Sequence, residues 1–98
     1  MVTHLVLFRL KEKNQQRSKQ LMDAFAGLPE KIEEIQHLTV GEDFKETPKS
    51  FDVALSVEFE NREALSAFSV HPEYVPVLDL IHEICSEHAV VDMELESD

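Results

Sequence analysis

Histidine, tyrosine and cysteine are the side chains here that could move protons or act as nucleophiles, and the chain holds five, one and one of them. His4 stands within an alternating apolar segment. An imidazole with an ordinary pKa of about 6.5 exchanges protons near neutrality, whereas a histidine on an apolar strand face can equally be a core residue tied to a backbone carbonyl or to Tyr74. His71 opens the turn His71-Pro72-Glu73-Tyr74, and a histidine before a proline reads first as an anchor for the following helix. Tyr74 carries a phenol with an ordinary pKa of about 10, a poor general base but a good hydrogen-bond donor to a carbonyl. Cys85 occupies an apolar helical position and reads as packed rather than reactive. His37 and His88 fall on strands, on a side expected to face a partner; His82 and Glu83 fall on a helix and read as solvated. With one cysteine and no close histidine spacing, a zinc centre is not expected. Glu42 and Asp43 could offer oxygens to a hard cation, although carboxylates in an acidic chain are mostly solvated. No metal or cofactor enters the reading.

The elements that must position these groups are legible from periodicity. Phe51, Val53, Leu55, Val57 and Phe59 are every second residue, so a strand places all of them on one face and Asp52, Ala54, Ser56, Glu58 and Glu60 on the other. Val2 to Lys11 alternates as well, with Val2, His4, Val6, Phe8 and Leu10 on one face and Thr3, Leu5, Leu7 and Arg9 on the other. Being apolar on both faces, that strand needs cover on both. Residues 13–28 read as a helix with Leu21, Phe25 and Leu28 inward, ended by Gly27 and Pro29. Ile35 to Phe44 reads as a strand with Leu38, Val40 and Phe44 alternating and Gly41 at a bulge or close approach. Asn61 caps a short helix carrying Ala64, Leu65 and Phe68. A second helix spans about 74–85 with Val75, Leu78, Ile81 and Cys85 inward and Pro76 in its first turn. Ala89, Val91, Met93 and Leu95 alternate as a closing strand.

The order β-α-β-β-α-α-β is that of an α+β, ferredoxin-like split βαβ domain: an antiparallel four-stranded sheet with helices on one face. The bare second face predicts a partner. Two sheets packed about a two-fold axis would bury Leu5, Leu7, Ala54 and Val90 and make a homodimeric α+β barrel.

Composition sets the outer limits. The 98 residues are expected to form one domain, residues 1–98, with a single core. Twenty acidic against nine basic side chains give a net charge of −11, which repels phosphate backbones and anionic headgroups, so neither nucleic acid nor a membrane surface is an expected partner. No apolar run approaches the roughly 20 residues of a bilayer span. The N-terminus lacks the pattern of a signal peptide and Cys85 is alone, so a cytoplasmic setting is expected.

The segments HLVLFRLK (His4 to Lys11), VGEDF (Val40 to Phe44), FDVAL (Phe51 to Leu55), FENREALSAFSVHPEY (Phe59 to Tyr74) and AVVDMEL (Ala89 to Leu95) together resemble the stress-responsive α/β barrel, or Dabb, family along almost the whole chain. The resemblance implies a dimeric α+β barrel, in a family with many members of unassigned activity. Some plant members are polyketide cyclases in which a first-strand histidine and the last histidine of a His-Pro-x-His turn face a pocket; His4 matches the first position, His71 the start of the turn, and Tyr74 stands where the second histidine would be. The expectation is therefore a dimeric binder of a small apolar molecule, with a pocket between sheet and helices lined by His4, Val6, Phe8, Phe25, Leu55, Phe68, Tyr74 and Leu78. A cofactor-free cyclase or monooxygenase using His4 as base and Tyr74 as donor is the alternative, and a purely structural oligomer the third reading.

Overall fold

The computed structural model describes residues 1–95. Alternating side chains build its centre: β1 (Val2–Leu10) and β3 (Val53–Phe59) pair antiparallel, with Val6 opposite Leu55 and Phe8 opposite Val53. β2 (His37–Glu42) adds to β3 and β4 (Cys85–Glu94) to β1, so the strand order is β2-β3-β1-β4 and every pair is antiparallel. Three helices, α1 (Gln15–Ala26), α2 (Arg62–Ser69) and α3 (Val75–Ile84), complete the ferredoxin-like α+β fold, with a 3-10 turn at Leu28–Glu30. Val6, Phe8, Leu55 and Phe59 share one core with Leu21 and Phe25 of α1, Phe68 of α2 and Ile81 of α3. Aromatic rings hold its centre, Phe8 against Phe25 at 5.4 Å and Phe59 against Phe68 at 5.1 Å between centroids.

Local chemistry sets the helix ends. Asn14 and Asn61, both in extended backbone, accept hydrogen bonds from the amides of Arg17 (2.8 Å) and Ala64 (2.9 Å), satisfying donors that the first turns of α1 and α2 leave free. Pro76 sits in the first turn of α3, where its missing N–H costs nothing.

Register decides which side chains meet, and it corrects several expectations. Val90 pairs with Val6, and His88 with Phe8, so both lie on the helix-covered face; Ala89, Val91 and Met93, opposite Leu7, Leu5 and Thr3, are the ones that share the bare face. Phe51 precedes β3 and leaves its inward row, because the alternation breaks at Asp52. The Asp52 carboxylate turns inward to accept the Leu10 amide at 2.8 Å, and Asp52 and Val53 are both buried. Phe51 instead lies under the Arg9 guanidinium, 4.3 Å from its ring centroid. β2 ends at Glu42, so Phe44 lies beyond it and is 93% exposed rather than inward. On α3 the inward residues are Val77, Ile81 and Ile84; Val75 is exposed, and Cys85 opens β4.

The bare face carries Leu5, Leu7, Thr39, Gly41, Ala54 and Ser56. Its ion pair, Arg9 with Glu87, stands at the end of the strands, and His37, in register with Glu58, bonds to Thr39 at 3.3 Å. No helix among the described residues is long and apolar enough to cross a membrane.

Candidate functional site

His4 belongs to the inward row of β1, flanked across the sheet by Val57 on β3 and Asp92 on β4. Its Nδ1 stands 2.5 Å from Asp92 Oδ1, and its side chain is only 14% exposed. An ionised carboxylate only accepts, so the hydrogen of this bond is on Nδ1; in the neutral ring it is then Nε2 that carries the lone pair. The edge of the imidazole meets Phe68, at 6.1 Å between ring centroids and 61° between planes. Phe68 in turn lies 4.3 Å from the Tyr74 ring.

These groups enclose a cavity of about 230 Å³ between sheet and helices. Its floor is His4, Val6 and Phe8 of β1 with His88 and Val90 of β4; its roof is Phe68 and Ser69 of α2; Tyr74, Leu78, Ile81 and His82 form the α3 side. Burial pushes the Tyr74 phenol up to about 12, so at neutral pH it is protonated and can donate. The cavity thus sets the His4 ring, held by Asp92, and the neutral Tyr74 phenol beside Ser69, His82 and His88 in a wall otherwise apolar.

Six of the eight side chains expected to line a pocket, His4, Val6, Phe8, Phe68, Tyr74 and Leu78, meet at this cavity. Phe25 and Leu55 do not: both are fully buried in the core beneath it. His71 also stays outside. Its Nδ1 accepts the Glu73 amide at 3.1 Å, which makes it a turn anchor. The cavity also takes in His82 from α3 and His88 from β4, which the sequence does not mark, and the β4 register sets Asp92 against His4 without bringing it into the lining. Asp92 is a surface acid, 48% exposed, and only its position opposite His4 reveals its partner.

Cys85 is buried, and its thiol is pushed up to about 11, first by burial and then by the Asp52 carboxylate, against a smaller opposing pull from Lys11. It stays a thiol at neutral pH and is no nucleophile. Glu42 and Asp43 border a polar hollow at the start of α1, where the positive charge is the chain's own Lys13, 3.3 Å from Glu46 and 3.6 Å from Asp52. Asp43 accepts the Glu46 amide at 2.7 Å. Among the described residues no three histidine, cysteine or carboxylate side chains converge as a metal site.

A larger hollow, about 530 Å³, lies on the bare sheet face over Leu5, Leu7, Gly41, Ala54 and Ser56. It holds neither histidine nor tyrosine, whereas His4, Tyr74, His82 and His88 line the smaller cavity.

No curated protein sequence is significantly similar to the chain. Solved structures are. A dimeric protein of unknown function with a ferredoxin-like fold from Bacteroides fragilis is 29% identical, with 96% of this chain and 95% of that chain covered and a TM-score of 0.79. A Dabb family protein from Mesorhizobium loti is 20% identical over 98% and 97% of the two chains, with a TM-score of 0.82. The hydroxynitrile lyase of Passiflora edulis shares the fold at 17% identity, 99% and 94% coverage and a TM-score of 0.84. The pattern of the stress responsive A/B barrel domain runs through residues 2–95, and the chain belongs to that family.

Proposed function

We propose that this chain is a small-molecule-binding domain that works as a homodimer, its ligand held between sheet and helices against His4 and Tyr74. The carrying observation is the cavity of about 230 Å³ with its oriented imidazole and buried phenol. That volume falls below the roughly 300 to 1,000 Å³ of sites for drug-sized ligands, which favours a single-ring compound bearing one acceptor and one donor. Self-association is supported by the bare apolar sheet face and by the dimeric state described for the Bacteroides fragilis protein. The lone buried thiol, Cys85, suits a reducing cytoplasm.

The test is thermal melting with single-ring phenols, ketones and carboxylates, repeated on Leu78→Trp, whose larger ring intrudes into the cavity. A compound at about 100 times its dissociation constant adds about 2.7 kcal/mol, a rise of roughly 10 to 20 °C for a domain this size. The rise should vanish in the variant. If no compound raises the midpoint while melting depends on protein concentration, the chain is a structural oligomer and the binding reading falls.

A second reading, cofactor-free proton transfer on the bound ligand, is favoured by the His4–Asp92 bond, since a carboxylate on Nδ1 holds an imidazole ready to accept a proton at Nε2. The Passiflora edulis lyase places an enzyme on the same fold. Turnover of a bound compound that survives His4→Ala, with folding intact, would remove His4 from any such reaction.

A further inference from the structure

We propose that Phe44 is the anchor of the homodimer, leaving water to seat in the hollow on the partner's bare sheet face. The inference rests on the dimer reading above and names the side chain that specifies it. Phe44 is 93% exposed, the most exposed large apolar residue among those described, ahead of Val70 at 78%. An aromatic ring held in water forgoes one of the largest apolar burials a side chain can make.

The recess that would receive it lies on the same face. Its volume is about 530 Å³ and its floor is built of small side chains, Gly41, Ala54 and Ser56, beside Leu5 and Leu7. A methyl added at Gly41 would meet nothing within 4 Å, so the space above this strand is open. A flat sheet laid against such a face would leave a void, and interfaces that persist are packed as densely as interiors. A two-fold interface uses one patch twice, so that patch must carry both a projection and a recess. Phe44 and the Gly41 to Ser56 hollow are that pair, and Phe44 stands at the hollow's rim.

The floor is uncharged, while Lys49 shares the border with the carboxylates of Glu42, Asp43 and Asp52. In a chain of net charge −11 that border gives two copies no net charge attraction, so the contact rests on burial of the Phe44 ring over the uncharged floor.

Sedimentation equilibrium of the full chain separates the possibilities, with Phe44→Ser, Gly41→Leu and a control, Val70→Ser, each checked for folding by circular dichroism. The wild type is expected to be a dimer. Phe44→Ser should raise its dissociation constant at least about thirtyfold, because each pair loses two central aromatic contacts. Gly41→Leu, whose side chain intrudes into the recess, should weaken it comparably, and Val70→Ser should leave it unchanged. A wild-type dimer that Phe44→Ser does not weaken overturns the anchor and leaves the dimer reading standing. Weakening by Phe44→Ser without weakening by Gly41→Leu overturns the recess as its seat. A wild type that is monomeric at tens of micromolar removes the dimer reading itself.

Discussion

Replacing Asp52 by alanine should unfold this domain far more readily than replacing it by asparagine. Asp52 is 8% exposed and its Oδ2 accepts the Leu10 amide at 2.8 Å. Its own amide donates to Phe8 O at 2.8 Å, and its carbonyl accepts the Asp43 amide at 2.9 Å, so one residue ties the end of β1 to the hairpin that joins β2 and β3. Alanine keeps the two backbone bonds but strands the Leu10 amide in a buried site. Leaving such a donor unpaired costs about 1 to 3 kcal/mol, and bonds to a charged acceptor lie in the upper part of that range. The Lys13 ammonium, 3.6 Å away, is nearly half exposed and adds little. Asp52→Ala should therefore lose about 2 to 3 kcal/mol, a fall in melting midpoint of roughly 10 to 20 °C. Asparagine retains an acceptor oxygen and should lose less than about 1 kcal/mol. Urea denaturation at one fixed protein concentration gives both numbers, and hydrogen exchange of the Leu10 amide reports the bond itself. Equal losses in the two variants, or a loss below about 0.5 kcal/mol in the alanine variant, would refute the assignment of Asp52 as an inward cap.

Two further outcomes follow from burial at the cavity. Tyr74 should ionise with a midpoint near 12 in ultraviolet titration, against about 10 for an exposed phenol. Because folding raises this pKa, its contribution is whole below about pH 10 and is lost as pH climbs through 12, a fall of about 2 to 3 kcal/mol that Tyr74→Phe should abolish. Phe68 is 1% exposed and touches both Phe59 and Tyr74, so Phe68→Ala should cost about 3 to 5 kcal/mol in denaturation, and a cost below about 1 kcal/mol would mean that α2 is not docked as described.

Side chains whose partners are near in sequence were the readable ones. The Asn61 cap, the Pro76 start and the inward row from Val53 to Phe59 each follow from a local rule, and the strand order follows from the succession of elements. What failed depended on register. Residues 89–95 are apolar at alternate positions, yet Val90 is apolar too, so nothing local states which set faces the helices. That choice is made where α3 runs straight into β4 and the pairing with β1 shifts between Arg9 and Leu10. Phe51 was misplaced because one buried carboxylate, Asp52, outweighs the alternation around it. At the candidate site, His4, Phe68 and Leu78 are readable from their apolar faces and Tyr74 from its place in the His71-Pro72 turn, whereas Asp92, which orients His4, lies 88 residues away from it and becomes visible only in the paired sheet.

That separation also orders events during synthesis. His4 is made well before Asp92, on the strand that will lie between β3 and β4, while Asp92 and the His88–Val90 floor come with β4. Until then β1 has one open edge, and the imidazole has no carboxylate. Closing so distant a pair is slow and exposes apolar surface meanwhile. A nascent chain stopped before β4 would hold both His4 and Tyr74 and still have no site, so the cavity is assembled only once β4 has been made.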